Sequence, residues 1–319
     1  MNASLYSAVP GIVQHEPMAR HTNFRIGGPA RFYAALGTAE EVIHAIQVAE
    51  AEGIPWYVFG GGSNLLVADE GFEGLVIQSA LRDVLVDGDR VMAGSGVITA
   101  LVARKAADAG LSGFEWAVGV PGTIGGAVYG NAGCYGGEIK DVVKSVDAYR
   151  IGDGTRVTYT NADCVFAYRE SRFKQERHLI LGCTLRLAPG DAAAGKARMQ
   201  EIVATRKEKQ PLDAASAGCA FKNYAYTDEA AIVQLRSVVD VPEAMLEAKQ
   251  IPAGWLVDQA GLRGISVGAV SVSQKHGNFL VQKSGATAND VVALMQKIKR
   301  SVRDRFGVEL QEEIQLLGF

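Results

Sequence analysis

Residues 56–66 read Trp56-Tyr57-Val58-Phe59-Gly60-Gly61-Gly62-Ser63-Asn64-Leu65-Leu66. Four strand-forming residues run straight into three glycines, and apolar residues resume after Ser63-Asn64. This is the pattern of a buried strand ending in a loop without side chains. A glycine run lets successive backbone N–H groups converge on an anion, because no Cβ blocks the approach. Ser63 and Asn64 add hydrogen-bonding side chains. Three glycines exceed what one turn needs, so phosphate binding is the stronger reading and a tight turn the alternative. No Gly-Lys-Ser/Thr follows, which excludes a Walker loop. The spacing is not GxGxxG at the start of a helix, which disfavours a Rossmann dinucleotide site.

Outward from this stretch, the pattern alternates without repeating. Thr38 to Gly53 predicts a helix, with Thr38 and Glu41 as a capping box and Val42, Ile46 and Ala49 on one face. Leu75-Val76-Ile77 predicts a short strand. Val84 to Val86 and Val91 to Ala93 predict a hairpin around Asp87-Gly88-Asp89. Thr99 to Ala109 reads as a helix. Val143 to Ile151 and Arg156 to Tyr159 read as strands across Gly152-Asp153-Gly154, followed by a strand from His178 to Leu187. Composition shifts at Ala188-Pro189-Gly190-Asp191, a candidate domain boundary. Lys196 to Lys209 reads as a helix stopped by Gln210-Pro211. A long helix starts at Thr287, with Asp290 at its third position and Val291, Leu294, Met295, Ile298 and Val302 as its inner stripe. Gly307 ends it, and Val308 to Leu317 reads as a returning strand. The order of elements favours an α+β fold over a doubly wound sheet. The expected organisation is a domain over 1–188 in two parts, about 1–80 and 81–188, a second domain over 189–307, and a C-terminal strand over 308–319.

A second glycine tract runs from Val118 to Glu138 and holds eight glycines between positions 119 and 137. A loop so poor in side chains can lie flat against a large planar ligand. It can equally be a buried crossover where backbones pack closely. Two such tracts in one chain favour an extended dinucleotide cofactor. Tyr168-Arg169-Glu170-Ser171-Arg172-Phe173 offers Arg169 as a two-pronged carboxylate clamp, although a solvated basic patch is the simpler reading of that motif alone. Ser216-Ala217-Gly218-Cys219-Ala220-Phe221-Lys222-Asn223 flanks a thiol with small residues, where the ordinary fate of such a cysteine is inert burial. His276, in Val272-Ser273-Gln274-Lys275-His276-Gly277-Asn278-Phe279, lacks the partners of a catalytic base and reads as structural or ligand-positioning. Strand alternation predicts that one of Glu312 and Glu313 points inward.

The chain has 319 residues, enough for more than one domain. Its net charge of −3 gives no general pull toward nucleic acid or an anionic membrane. No apolar run is long enough to span a bilayer, and the N-terminal residues have no signal-peptide core. Cys134, Cys164, Cys183 and Cys219 show no CxxC spacing, so no metal site or disulfide framework is expected, and a reducing cytoplasm is. A monomer is the default expectation.

Taken together, Asn23-Phe24-Arg25-Ile26-Gly27-Gly28, GGGSNLL, GVPGTIGGAVYGNAGCYGGE, YRESRF, SAGCAFKN and VSQKHGNF resemble, in order, the UDP-N-acetylenolpyruvoylglucosamine reductase (MurB) family from about Thr22 to Gly318. Each motif alone is weak, but six in order are specific. The short connection between Lys222 and Trp255 resembles the type II subgroup, which lacks an inserted tyrosine loop. The resemblance implies an FAD-binding domain of the p-cresol methylhydroxylase/vanillyl-alcohol oxidase type with a smaller α+β substrate-binding domain. It implies noncovalent FAD, NADPH as hydride donor, and hydride delivery to the methylene carbon of the enolpyruvyl ether of UDP-GlcNAc. The rival readings are another flavin oxidoreductase of the same cofactor fold and a non-catalytic nucleotide-binding module.

Roles transfer by motif position. The resemblance implies Arg169, Cys219 and Glu313 as catalytic residues. It implies Gly60, Gly61, Gly62, Ser63, Asn64, Leu65, Gly119, Pro121, Gly122, Thr123, Gly125, Gly126, Ala127, Asn131 and Gly133 at the cofactor. Tyr135, Arg206, Lys222, Asn223, Lys275 and Asn278 are implied at the substrate. Cys219 departs from the family's serine proton donor. A thiol keeps a transferable proton, ordinarily lost at a pKa of about 8.5, and brings sensitivity to oxidation. Gln311 departs from an acid often found two positions before Glu313.

Overall fold

The computed structural model describes residues 3–319 and divides into two compact units. Of the described residues, the first comprises 3–16, 30–62 and 72–206; the second comprises 17–29, 63–71 and 207–319. The units do not follow chain order. The second draws in two early segments, 17–29 and 63–71, and the first extends to Arg206, past the boundary expected at Ala188-Asp191.

The first unit holds two sheets. One is four-stranded, in the order Val13–Pro17, Pro29–Leu36, Phe72–Ser79, Trp56–Phe59. Phe72–Ser79 pairs in parallel with both Pro29–Leu36 and Trp56–Phe59. The connection between Pro29–Leu36 and Trp56–Phe59, which flank Phe72–Ser79, runs through the helix Ala39–Ala51, because parallel strands of one sheet require a crossover. Its capping box forms as predicted: Thr38 Oγ1 accepts from Glu41 N–H at 3.2 Å and the Glu41 carboxylate accepts from Thr38 N–H at 3.1 Å. Val42, Ala45, Ile46 and Ala49 on its inner face are buried with Leu75 and Ile77.

The other sheet is antiparallel, in the order Thr155–Thr160, Val143–Arg150, His178–Arg186, Arg90–Gly94, Val84–Asp87. Both predicted hairpins are present. The helix Thr99–Asp108 contributes Val102, Ala103, Ala106 and Ala107 to the core of this sheet. The predicted helix at Lys196 begins earlier, at Ala192, because the Asp191 carboxylate accepts from Ala194 N–H at 2.7 Å and caps it.

The second unit is built around the helix Ala288–Phe306. Thr287 and Asp290 form its capping box, and Gly307 closes it at φ 70°. Val291, Leu294, Met295, Ile298 and Val302 are all at most 3% exposed, each worth roughly 1.5–3 kcal/mol of burial. A three-stranded antiparallel sheet, Ser266–Val267, Val270–Val272 and Leu280–Gln282, and the helix Ala253–Gln259 share its core. The Asp69 carboxylate accepts from the N–H groups of Ala288 and Asn289 at 2.7 and 3.0 Å, tying the early segment to the helix start.

The strand expected over Val308 to Leu317 is only Gln315–Leu317, paired in parallel with Leu65–Val67. The residues before it meet a different partner. Lys222 N–H donates to Gln311 C=O at 2.8 Å, and Glu313 N–H donates to Ala220 C=O at 2.8 Å. Two partners of two or three residues each cannot sustain one continuous strand. Glu312 and Glu313 therefore lie outside the strand proper, and Glu312 is held by Lys299 at 2.6 Å. Among the described residues no helix is long and apolar enough to cross a membrane.

Candidate active site

In the first unit the two glycine tracts touch. A Cβ placed on Gly60 would strike the hydroxyl of Thr123, and one on Gly61 would lie 3.1 Å from the Cα of Gly122. Gly62 and Gly122 take φ of 61° and 99°, a region that favours glycine. Gly60 is fixed from behind. Gln78 Nε2 donates to its carbonyl at 3.1 Å, and Tyr33 Oη donates to Gln78 Oε1 at 2.6 Å. Motif reading passes over Gln78; its available signal is a lone amide closing the apolar run Leu75-Val76-Ile77.

The tract at 118–138 is not a flat loop. It contains the helical turn Glu115–Gly119 and the short helix Ile124–Tyr129, whose Ile124, Ala127 and Val128 are buried. Several of its glycines serve protein packing. A Cβ on Gly119 would lie 3.0 Å from Cys134 Sγ, one on Gly125 would lie 2.8 Å from Ser95, and one on Gly133 would lie 2.7 Å from Gly137 O. Gly126 has open space and Pro121 is exposed. Thr123 precedes the short helix, yet its side chain makes no cap bond. Its Oγ1 is buried and has no hydrogen-bond partner. A buried hydroxyl is normally paired, so this one marks a place where an external group completes the site.

Asn131 is fully buried at φ 41°. Its Nδ2 donates to Glu138 Oε2 and to Ala167 C=O, both at 2.9 Å, and its Oδ1 accepts from Lys140 N–H at 2.9 Å. Both amide hydrogens are thereby committed within the protein. The side chain of this residue, expected at the cofactor, clasps the glycine tract to the Ala167–Glu170 turn.

That turn carries Arg169. Ala167 and Glu170 exchange both backbone bonds, at 3.0 and 3.1 Å, and Arg169 sits at φ 56°. Lys174 Nζ donates to Arg169 C=O at 2.6 Å, and Ser171 Oγ donates to Tyr129 C=O at 2.7 Å. The guanidinium donates to Gly133 C=O at 3.2 Å and stands 5.0 Å from the Tyr168 ring. A left-handed arginine is a strained conformation, and here the surrounding bonds hold it. Burial pushes the Cys134 thiol up to about 11, against the opposing pull of the nearby Arg206 and Arg169 guanidinium groups. Arg206 acts likewise on Tyr135, whose hydroxyl burial raises and which also takes positive φ, at 52°. Arg169, Arg206 and Tyr135 thus gather around Cys134, a cationic locality suited to an anionic substrate.

In the second unit, Cys219 and Glu313 lie on neighbouring backbone segments. Glu313 N–H donates to the carbonyl of Ala220, the residue after Cys219. Asn64, from the first glycine motif, holds the same segment: its Nδ2 donates to Glu313 C=O at 2.9 Å, and its own carbonyl accepts from Gln315 N–H at 3.0 Å. Leu65 continues into the strand beside Gln315. Cys219 is half-buried and bridges to Phe279. Asn278, expected at the substrate, is 2% exposed and pairs with Phe221 through both ends of its amide, at 3.0 and 2.8 Å. Asn223 Oδ1 accepts from Ala253 N–H at 3.2 Å, at the start of the helix Ala253–Gln259. Lys275 Nζ donates to Lys207 C=O at 2.6 Å. Lys222 is half-buried beside Gln311. His276 Nδ1 accepts from Asn278 N–H at 3.2 Å, and burial lowers its pKa, both consistent with a neutral structural ring.

Two family descriptions match the chain: an FAD binding domain over residues 30–160 and the C-terminal domain of UDP-N-acetylenolpyruvoylglucosamine reductase over 210–317. The first span contains both the Gly60–Gly61 and the Gly122–Thr123 segments. Their side-chain-free backbones and the unpartnered Thr123 hydroxyl fit a phosphate-bearing cofactor such as FAD. The chain is 38% identical to the UDP-N-acetylenolpyruvoylglucosamine reductase of Caldanaerobacter subterraneus, covering 95% of this chain and 93% of that one. It is 40% identical to that of Agathobacter rectalis, covering 97% and 94%. The crystal structure of the reductase MurB from Thermus caldophilus superposes with a TM-score of 0.74 at 31% identity, covering 96% of this chain and 98% of that one. With relatives matched over nearly their whole length and both domains accounted for, the chain belongs to the UDP-N-acetylenolpyruvoylglucosamine reductase family.

Proposed function

We propose that this protein reduces UDP-N-acetylenolpyruvoylglucosamine to UDP-N-acetylmuramate with FAD, as a UDP-N-acetylmuramate dehydrogenase of peptidoglycan precursor synthesis, and that NADPH supplies the hydride. The observation that carries the reading is the family match over almost the entire chain. A cytoplasmic location and an influence on cell shape and division, through the wall polymer, belong to the same proposal.

Bound FAD would supply the hydride-transfer chemistry that links the nicotinamide to the methylene carbon of the substrate. The protein's own task follows from the charge that this transfer creates. Electron density builds on the carbon next to the carboxylate and on the carboxylate itself. Fixed positive charge lowers that barrier most when it is in place beforehand. Arg169 is assigned this role, and its braced backbone, with the guanidinium donating to Gly133 C=O, supports the assignment. The Cys219 thiol is assigned as the acid that protonates the carbon. Below its ordinary pKa of about 8.5 a thiol holds the proton such a step needs. Glu313 is assigned to polarise the carboxylate or relay the proton. The Glu313–Ala220 bond supports treating the two residues as one unit. Tyr135, Arg206, Lys222 and Asn223 are assigned to the remainder of the substrate, and Ser63, Gly126 and Ala127 to the cofactor.

The test is a pair of anaerobic stopped-flow half-reactions. NADPH is expected to bleach the flavin absorption of the purified protein. Added UDP-N-acetylenolpyruvoylglucosamine is expected to restore it. Reoxidation by oxygen but not by the enolpyruvyl substrate would overturn the reading in favour of an oxidase of the same cofactor fold.

A further inference from the structure

The segment Ala220–Lys222 is gripped from two sides. Gln311 and Glu313 pair with it along one edge. Asn278 supplies the other. Its Oδ1 accepts from Phe221 N–H at 3.0 Å, its Nδ2 donates to Phe221 C=O at 2.8 Å, and its own carbonyl accepts from Ala220 N–H at 2.8 Å. One side chain and its backbone do what a neighbouring strand would do. Cys219 bridges to Phe279, the next residue along.

The loop that presents Asn278 is itself tightly seated. Ser273 N–H donates to Phe279 C=O at 2.9 Å, and Phe279 N–H donates to His276 C=O at 3.0 Å. A Cβ on Gly277 would lie 2.7 Å from Gly254 O and collide with Asp258, so the loop lies directly on the helix Ala253–Gln259. The amide therefore projects from a rigid platform. Only asparagine offers a donor and an acceptor at this reach: an ionised aspartate cannot donate, and glutamine is a methylene too long.

We infer that Asn278 is a positioning residue for substrate reduction, holding the backbone of Cys219–Phe221 and, through Ala220, that of Glu313 in one fixed relation. The inference deepens the proposed function and rests on the roles given there to Cys219 and Glu313.

Asn278→Asp keeps the acceptor and removes the donor while its carboxylate is ionised; protonated, it can donate to Phe221 C=O again. Asn278→Ser cannot reach both backbone groups. In the holoenzyme of either variant, reoxidation of the reduced flavin by the enolpyruvyl substrate is expected to slow on the order of tenfold or more, while reduction by NADPH stays within about twofold. The Asp variant is expected to recover as pH falls, and its solvent isotope effect on reoxidation to rise, because proton delivery becomes limiting. A second readout needs no turnover. Alkylation of Cys219 by iodoacetamide, followed by peptide mass spectrometry, is expected to change in rate in both variants. Wild-type reoxidation with unchanged alkylation, or equal loss of both half-reactions, would overturn the inference. If wild-type enzyme is not reoxidised by this substrate, the functional reading fails, and the alkylation rates alone decide whether Asn278 positions Cys219.

Discussion

Glu313 N–H donates to the carbonyl of Ala220 at 2.8 Å, so the acid and the thiol of Cys219 are separated by one hydrogen bond and one peptide unit. Their mutual placement is thus set by backbone, which is stiffer than any contact between their side chains. Asn64 fixes the same point from outside by donating to Glu313 C=O. A glycine motif that reads as cofactor-binding thereby also anchors the C-terminal acid.

Cys219 is the residue proposed as the acid of substrate reduction. Cys219→Ser is expected to keep substantial turnover, because a hydroxyl also carries a transferable proton. Cys219→Ala is expected to lose substrate reduction by about 10²-fold or more, the usual worth of a general acid, while reduction by NADPH continues. Stopped-flow traces of the two half-reactions check this. Equal full turnover in wild type and the Ala variant would end the assignment.

Arg169 offers a separation of strain from catalysis. At φ 56° a glycine is more at ease than an arginine, by roughly 1 kcal/mol. Arg169→Gly gives up the bond to Gly133 and the stacking on Tyr168, so these effects nearly cancel. Unfolding in urea is expected to move by no more than about 1 kcal/mol. Substrate reduction is expected to fall by about 10²–10³-fold, as for loss of a fixed charge-stabilising donor. A variant with normal turnover would remove Arg169 from the mechanism.

The parts of this fold legible in the sequence are those written in contiguous residues. The capping boxes at Thr38 and Thr287 form as expected, because each is a local exchange within four residues. The strand Trp56–Phe59 has the bounds its composition gives. Residues 308–314 depart from the strand that their pattern suggests because Gln311 and Glu313 pair with residues 220–222 while 315–317 pair with 65–67, and both partners are distant in the chain and short. The tasks of Asn131 and Asn278 are hidden for a related reason. An asparagine that replaces a backbone pairing looks, in sequence, like one that awaits a ligand. The membership of residues 17–29 and 63–71 in the second unit likewise rests on distant pairings.

Asn131 gives the clearest stability prediction. Asn131→Ala removes three hydrogen bonds made by a fully buried side chain, to Glu138 Oε2, Ala167 C=O and Lys140 N–H. It also puts alanine at φ 41°. A loss of about 2–4 kcal/mol is expected from denaturant unfolding, with weakened FAD retention because the glycine tract loses its clasp. A change under about 0.5 kcal/mol would show that the clasp is redundant.

Thr123 separates binding from stability in the opposite sense. Its buried hydroxyl has no partner in the protein, so Thr123→Val removes an unsatisfied group while keeping the shape. The apoprotein is expected to be as stable as wild type or more so. FAD affinity is expected to fall by roughly 10- to 100-fold, the worth of one hydrogen bond to a charged acceptor. Fluorescence titration of apoprotein with FAD measures it. Unchanged affinity would mean that the hydroxyl does not face the cofactor.

His276 predicts how the second unit responds to acid. Burial lowers its pKa below 6.5, with the Asp258 carboxylate opposing and Arg263 reinforcing the shift. Its Nδ1 also accepts from Asn278 N–H, a bond that protonation at that nitrogen breaks. The folded state therefore binds this proton less readily than the unfolded chain. Stability from the neutral ring is fully present above about pH 6.5 and declines as pH falls toward the folded pKa. Urea unfolding between pH 7.5 and 5 is expected to show this decline in wild type and a shallower one in His276→Gln. Because Asn278 shares the bond, the same acid shift is expected to slow substrate reduction before flavin reduction. Identical slopes in the two proteins would show that the His276 ring does not govern the acid sensitivity of this unit.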